Sequence, residues 1–452
     1  MNGLTLGFVA AALGLPAPGE DRPLAGVAID GRRLRPGELF VAIPGPRFDG
    51  HDFLDQAHAA GAAAALVSRP VPGAPLPLLR VDDTRAALGR LARAWRDRFP
   101  GPVVAVTGSN GKTTVKEMAA RVLAALGPVL ATEGNLNNDL GLPLTLLRLT
   151  GAHRAAVVEM GANHPGEIAH LAAIARPDVG LVTNAGPAHL EGFGSVAGVA
   201  RAKGELFEAL RAGQTAVINR DDPHAGLWDD LAAPARVLDF ALDHEAAVRA
   251  VDVDSTAEGS RFRLLTPQGE AQVDLPLPGR HNVRNAAAAV AVGLALGVDP
   301  RAGAAALAAM TPVAGRLRPL PARGGARLID DSYNANPASV AAALDVLAAC
   351  SGRRTLVLGA MAELGAEAEA LHAEVGRAAR ARGIERLFAL GEGAAPAVPA
   401  FGPGGHHFDS MDALLETLQM DLNENDTVLV KGSRSAGMER VVQALAPQAG
   451  EG

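Results

Sequence analysis

Thr107-Gly108-Ser109-Asn110-Gly111-Lys112-Thr113-Thr114 lies between an apolar run, Val103–Val106, and a segment patterned as a helix. A strand that turns through glycines into a helix can wrap backbone N–H groups around phosphate oxygens, and the helix N-terminus adds positive potential there. Lys112 would then reach the β- and γ-phosphates of a nucleotide, and the Thr113 hydroxyl would ligate Mg2+. Gly108, Ser109, Asn110, Gly111 and Thr114 complete a predicted ATP-binding loop. The general phosphate-loop pattern wants a glycine five residues before its second glycine, and Val106 holds that position here. The segment therefore reads as a shortened variant. A plain strand-to-helix turn would share its outline but would not call for Gly-Lys-Thr.

Outward from this loop, strand, glycine turn and helix alternate from Val103 to about Ala314, which predicts a mainly parallel sheet with covering helices. Strands are expected at Val103–Val106, Ala155–Glu159, Val179–Thr183 and Ala216–Asn219. The alternating, polar stretch Val248–Leu275 predicts an antiparallel edge or subsidiary sheet. A second α/β run begins at Arg327, with strands near Arg327–Asp330, Thr355–Leu358, Arg386–Leu390 and Thr427–Val430. Before residue 82, short runs such as Leu39–Ile43 and Ala64–Val67 alternate with Gly- and Pro-rich turns, Val71–Pro77 reading as a linker or loop. A helix-patterned, arginine-rich segment, Thr84–Phe99, follows and stops at Pro100. The fold class is α/β, divided as 1–82, 83–314 and 315–452.

A length of 452 residues suits about three domains, each able to bury a core. The single cysteine, Cys350, excludes a disulfide framework and a cysteine-built zinc site and fits a reducing cytosol. A net charge of −7 argues against a basic nucleic-acid surface. No apolar run reaches the roughly 18 residues of a membrane span. Leu4–Pro18 lacks a preceding Lys or Arg and reads as core helix or strand rather than a leader. Only four of the 42 basic residues are lysines, Lys112, Lys116, Lys203 and Lys431, and Tyr333 is the only tyrosine. In a chain so inclined to arginine, a surviving lysine marks a place where arginine does not serve.

Glu159 ends a predicted strand at the edge where ligands collect in a parallel sheet. It suits a carboxylate on Mg2+ or on a Mg2+-bound water, the plainer use being to cap a nearby loop. His189 follows the next strand, either a polar loop histidine or a second ligand beside Glu159. Lys203 falls in a helix-patterned segment, where a solvated lysine is the ordinary reading. Its ammonium cannot bind metal, whereas a lysine carbamylated by CO2 presents a carboxylate on a long stem. Asn282 and Asn285, three apart at the start of an alanine-rich helix, could share a face toward a base edge, or Asn282 could cap the helix. The turn Asp330-Asp331-Ser332-Tyr333-Asn334-Ala335-Asn336-Pro337 concentrates polar groups at a strand end.

Taken together, these segments resemble the Mur ligase family along nearly the whole chain. The resemblance is carried by Asp49-Gly50-His51-Asp52-Phe53, the short ATP loop, Gly134-Asn135-Leu136-Asn137-Asn138 with Gly141-Leu142-Pro143, Glu159-Met160-Gly161-Ala162, Asp331–Pro337 and Lys431-Gly432-Ser433-Arg434. The Asp-Asn-Pro-Arg signature of the diaminopimelate-adding member is absent. The resemblance implies a small α/β UDP-binding domain, a central P-loop ATPase and a Rossmann-like C-terminal domain. It also implies ATP-driven joining of D-alanyl-D-alanine to UDP-N-acetylmuramoyl-tripeptide by a cytoplasmic, monomeric enzyme of peptidoglycan synthesis. By matched position Lys112 and Thr113 would hold ATP and Mg2+, with two Mg2+ expected in all. Glu159, His189 and a carbamylated Lys203 would hold the metals, and Lys112, Glu159, His189 and Lys203 form the expected catalytic set. Asn282 and Asn285 would touch adenine, Arg316 a phosphate, and Asp331 the nucleotide from the C-terminal side. Asp30, Arg32, Asn137, Asn138, Asn334, Asn336 and Lys431 are the expected substrate contacts. The uridine-side motif normally reads hydroxyl-Asp-Ser-Arg, and here Ile29-Asp30-Gly31-Arg32 lacks both hydroxyls.

Other classes remain to be set against this one. A folylpolyglutamate synthase would join an amino acid by the same chemistry but would not require the Asp49-Gly50-His51 region. A P-loop motor or nucleic-acid enzyme sits poorly with 3% aromatic residues and the negative charge. A nucleotide-binding scaffold without catalysis would not need to retain Lys112, Glu159 and Lys203.

Overall fold

Three sheets follow one another along the chain. The molecule is described from a computed structural model that covers residues 3–187 and 190–447. The first sheet is parallel and sequential: β1 (Gly26–Ala28), β2 (Glu38–Val41), β3 (Ala64–Val67) and β4 (Leu78–Arg80). Val71–Pro77 is the loop joining β3 to β4, inside this sheet. Leu4–Pro18 contains a helix, Leu6–Leu13, whose first turn is capped by the Thr5 hydroxyl.

The helix Thr84–Arg96 starts at Asp83, whose carboxylate accepts from the Arg85 and Ala86 N–H groups. It stops three residues short of Phe99, the end the arginine-rich pattern predicts. One face of this helix, Leu88, Leu91 and Trp95, belongs to an apolar cluster that also holds Leu39 and Leu66 of the first sheet. The same cluster runs on to Ala105 and Val158 of the central sheet. The first two sheets therefore share one continuous core, which fixes their relative position by burial.

The central sheet has nine strands: β5 (Val103–Thr107), β6 (Val129–Ala131), β7 (Ala155–Glu159), β8 (Val179–Val182), β9 (Thr215–Asn219), β10 (Arg236–Ala241), β11 (Val248–Ser255), β12 (Ser260–Thr266) and β13 (Gly269–Leu275). Their spatial order is β13-β12-β11-β10-β9-β8-β5-β7-β6. Pairing is parallel from β6 to β11 and antiparallel across β11, β12 and β13. Val248–Leu275 is thus an edge of the main sheet. β5 lies between β7 and β8, so the segments leaving β5, β7 and β8 emerge side by side at the carboxyl ends, where a parallel sheet collects ligands. The helices Lys112–Leu123 and Arg280–Ala295 pack on one face of the sheet through Val115, Met118 and Val290.

The third sheet comprises β14 (Arg318–Pro321), β15 (Arg327–Asp331), β16 (Arg353–Gly359), β17 (Arg386–Leu390), β18 (Gly405–Phe408) and β19 (Asp426–Lys431), in the order β14-β15-β19-β16-β17-β18. Only β14 is antiparallel to its neighbour. Apolar clusters cover both of its faces. Among the described residues no helix is long and apolar enough to cross a membrane. The architecture is α/β with mainly parallel sheets, as the sequence predicts.

Candidate active site

The loop after β5 is drawn tightly onto the segment after β8. Gly108 has φ +143, and a Cβ there would stand 1.9 Å from the Thr183 hydroxyl oxygen, so no other residue fits without moving the loop. Thr183 Oγ1 donates to the Asn110 carbonyl at 2.6 Å, while the Ser109 N–H donates to the Asn184 carbonyl at 2.9 Å and the Asn110 N–H to Asn184 Oδ1 at 3.0 Å. Gly111, at φ +80, turns the chain into the helix Lys112–Leu123. Lys112 Nζ reaches back to the Gly108 and Ser109 carbonyls at 2.7 and 3.2 Å. Burial pushes its ammonium below the ordinary lysine range, and the nearby Glu159 carboxylate pulls the other way.

Glu159 ends β7, 3% exposed. Its Oε2 accepts from the Thr113 hydroxyl at 2.9 Å and its Oε1 from Asn137 Nδ2 at 2.8 Å. Asn137 is itself tied to this strand end, its carbonyl accepting the Gly161 N–H at 2.8 Å. A hydroxyl and a carboxylate side by side at a phosphate loop are hard oxygen donors of the kind Mg2+ takes together with substrate phosphates. No group of three or more His, Cys, Asp or Glu that could cage a metal occurs among the described residues. The donor set therefore fits a metal that arrives with a nucleotide.

Lys203 is 1% exposed on the helix Val196–Glu208. Its Nζ lies 3.3 Å from the Ala162 carbonyl and 5.3 Å from the Phe193 ring centroid. Burial, with the charge of Lys112 adding to it, pushes its pKa down to about 7. At neutral pH a large share of Lys203 is the free amine, the form that reacts with CO2. Two residues along, Glu205 accepts the Gly166 and Ala169 N–H groups at 2.7 and 3.0 Å. One helix thus pins both ends of the segment that follows Glu159.

The phosphate loop and Glu159 open onto a cavity of about 700 Å³, which Lys203 does not itself line. Lys112, Thr113, Asn137, Asn138 and Glu159 line it from the central sheet, and Arg316, Tyr333, Asn334 and Asn336 from the C-terminal side. Arg316 stacks on Tyr333, 4.2 Å from the ring centroid, and its guanidinium comes 3.5 Å from Thr113 Oγ1. Asn336 caps the helix Pro337–Ala348 through the Ser339 N–H and uses its amide nitrogen to donate to Asn110 Oδ1 at 2.7 Å. The polar turn after β15 is a lining of the cavity.

The remaining candidates sit elsewhere or face inward. Asn282 Nδ2 donates to the Pro278 carbonyl at 2.8 Å and Asn285 Nδ2 to Asn282 Oδ1 at 3.2 Å. Gly279, not Asn282, holds the helix cap position. Asn285 lies against Gly111, its Oδ1 2.8 Å from where a Cβ would stand. Asp331 and Lys431 end adjacent strands in register and pair at 2.5 Å, Asp331 also accepting the Leu317 N–H at 3.1 Å. Burial raises the Asp331 carboxyl and lowers the Lys431 ammonium, each opposed by the partner's charge. Asp30 and Arg32 pair with each other through two bonds at 2.9 and 2.8 Å and do not line the cavity. His189 lies outside the described residues. Sequence reasoning passed over Thr183 and Asn184, which clamp the phosphate loop. Their signal was position alone, directly after a strand adjacent to β5.

Comparison with known proteins agrees with this geometry. Residues 23–96 match the model described as Mur ligase family, catalytic domain; 106–293 the Mur ligase middle domain; and 315–434 the Mur ligase, glutamate ligase domain. A curated UDP-N-acetylmuramoyl-tripeptide--D-alanyl-D-alanine ligase of Escherichia coli (strain K12) is 48% identical over 448 residues, 98% of this chain and 99% of that protein. A crystal structure of MurF from Acinetobacter baumannii superposes with a TM-score of 0.90 at 35% identity, covering 96% of this chain and 97% of the other. The MurF ligase of Thermotoga maritima, crystallised in complex with ADP, gives 0.83 at 30% identity, covering 93% and 96%. With three family models spanning its sheets and a near full-length relative at this identity, the chain belongs to the Mur ligase family.

Proposed function

We propose that the protein joins D-alanyl-D-alanine to UDP-N-acetylmuramoyl-tripeptide with ATP, giving the pentapeptide precursor of peptidoglycan, ADP and phosphate. The observation that carries the reading is one cavity lined by a phosphate loop and an oxygen donor pair at the ends of one parallel sheet and by a second sheet's turn, with the buried Lys203 just behind the cavity-lining Ala162. The full-length likeness to ligases of that name selects the substrates. The reaction belongs to the cytoplasmic stage of wall synthesis. Its work would be divided among 1–82 as the UDP-substrate-binding domain, 83–314 as the central ATP-binding domain and 315–452 as the C-terminal Rossmann-like ligase domain.

A carboxylate resists attack because a nucleophile adds charge to an anion. Moving the γ-phosphoryl group to the tripeptide carboxylate gives an acyl phosphate with a good leaving group, which the dipeptide amine attacks, expelling phosphate. Little covalent work falls to the protein; positioning and charge neutralisation do. Lys112 would leave the Gly108 and Ser109 carbonyls for the phosphates, and Arg316, poised over Thr113, would meet the same charge from the other side. Mg2+ held by Thr113 and Glu159 would neutralise charge on the triphosphate. A carbamate on Lys203 would add a buried anionic ligand for a second ion, and the burial that lowers the amine's pKa favours its formation. Asn334 and Asn336 would hold the C-terminal turn over the reacting groups.

The test is product analysis by mass spectrometry from ATP, UDP-N-acetylmuramoyl-tripeptide and a panel of amino acids and dipeptides. Phosphate release should require both the tripeptide and D-alanyl-D-alanine and yield the pentapeptide. Release with no acceptor would point to a motor, and ligation of glutamate to a folate to the synthase class.

A further inference from the structure

Lys116 is one of the chain's four lysines, and the reading above gives it no task. It follows Lys112 by one turn on the same helix and is 1% exposed. Its Nζ donates to the Thr132 carbonyl at 2.6 Å and pairs with the Glu117 carboxylate. Thr132, just past β6, is itself 1% exposed and bound at three points. Its N–H donates to the Val157 carbonyl at 3.1 Å, its carbonyl accepts from Lys116, and its hydroxyl accepts the Glu159 N–H at 2.9 Å. The chain then runs into Asn137, which donates to Glu159 Oε1. Glu159 is thus fixed at its backbone by Thr132 and at its carboxylate by Asn137. Both belong to one segment, and Lys116 is its buried tether to the phosphate-loop helix.

We propose that Lys116 is a positioning residue for the metal-binding carboxylate: by holding the Thr132 carbonyl it sets Glu159 at the distance from Thr113 that a Mg2+ ion bound with nucleotide requires. The proposal rests on the reading of Thr113 and Glu159 as Mg2+ ligands. Lysine suits the task because a compact ammonium fits between a carbonyl and a carboxylate in a closed space, whereas the broad planar fork of arginine does not. In a chain that elsewhere prefers arginine, this accounts for the lysine. Partners of metal ligands that set their orientation commonly change metal affinity by about 10- to 100-fold when removed.

Calorimetry of ADP binding, with and without Mg2+, tests the proposal without relying on turnover. In the wild type, Mg2+ should strengthen ADP binding. In Lys116→Met, ADP alone should bind within about twofold of wild type, while the strengthening by Mg2+ falls by about tenfold or more. Lys116→Arg should not restore it. Glu117→Gln, which leaves the Thr132 bond in place, should keep the full effect, and losing it there would shift the role from tether to charge and overturn the proposal. Thr132→Val removes the acceptor for the Glu159 N–H; it should cost Mg2+ strengthening, and combined with Lys116→Met it should cost less than the sum. That cycle also decides the matter if Lys116→Met alone melts at a lower temperature. A wild type whose ADP affinity ignores Mg2+ would sink the metal reading of Thr113 and Glu159. A responsive wild type with an equally responsive Lys116→Met would sink this proposal alone.

Discussion

Lys203→Met should make the protein inactive and more stable, by an amount that depends on pH. An ordinary lysine titrates at 10.5, and burial beside Lys112 brings Lys203 down to about 7. Between these values the unfolded chain binds a proton that the folded one does not, so raising the pH favours the fold through this group. Below pH 7 both forms are protonated and the fold carries a buried charge at full cost, about 5 kcal/mol at about 1.4 kcal/mol for each pH unit spanned. At pH 9 the same arithmetic leaves about 2 kcal/mol. Methionine has a similar stem and no charge, and its one debit is the Ala162 carbonyl left without its donor, worth about 1 kcal/mol. The variant should therefore gain about 4 kcal/mol at pH 6 and about 1 kcal/mol at pH 9. Urea titration in CO2-free buffer reads this through tryptophan fluorescence, because Trp228 donates to the Ala200 carbonyl at 3.0 Å on the helix that carries Lys203. A gain that does not change between pH 6 and pH 9, or a variant less stable than wild type at pH 6, would refute the buried free amine.

Three further outcomes follow from the geometry. Gly108→Ala should weaken ADP binding by at least about tenfold in calorimetry, since its Cβ would meet Thr183 Oγ1 at 1.9 Å; wild-type affinity would show that the loop does not use this conformation. Asn336→Ser keeps a helix cap but is too short to span the 2.7 Å contact with Asn110, so melting should stay near wild type while kcat falls several-fold; unchanged kinetics would make the contact incidental. Asp426→Asn should cost about 3 kcal/mol at pH 7, because the side chain is fully buried with two bonds from Arg353 at 2.6 and 2.9 Å. Against the burial that would raise it, Arg353 and the Asn423 N–H hold that carboxyl below 3.8, so its contribution is present above that value and is lost as the pH falls; the gap between the two proteins, measured by urea titration, should be flat from pH 6 to 8 and close below about pH 4.

The strands that the sequence made legible were those whose apolar residues run on without a polar break, most plainly where four are consecutive. Ala155–Glu159, Arg386–Leu390 and Ala64–Val67 fall where the pattern puts them, because a strand buried on both faces must be apolar throughout. β1, β4 and β6 have three residues each, too few for any period to show, and their place is set by the neighbours they pair with. The site divides in the same way. The phosphate loop and Glu159 were readable because their chemistry is local: a turn, a helix start, a strand end. The pairing of Lys431 with Asp331 was not, since it depends on which strand ends become neighbours; nor was the turn of Asn282 onto Pro278, since a side chain's choice between its own backbone and a ligand is not written in its spacing. Rarity helped where periodicity could not. Lysine scarcity singled out four residues, and all but the half-buried Lys112 are at most 2% exposed.

The bonds at the mouth of the cavity bear on how a nucleotide would be felt across the molecule. Thr113 Oγ1 serves Glu159 and lies within reach of Arg316, so one hydroxyl joins the central sheet to the segment that begins the C-terminal part. Asn110 makes the second junction, through Asn336. A phosphate that engages the loop must compete with Lys112's bonds to Gly108 and Ser109 and with these two junctions. Exchanging one hydrogen bond for another yields only about 1 kcal/mol net, so affinity arises from the loop's being already shaped by Thr183 and Asn184 rather than from the number of contacts. The same exchange alters the partners of Arg316 and Asn336. On the proposed function, the C-terminal turn would feel a bound nucleotide through those two side chains, because they are its hydrogen-bonded links to the phosphate loop.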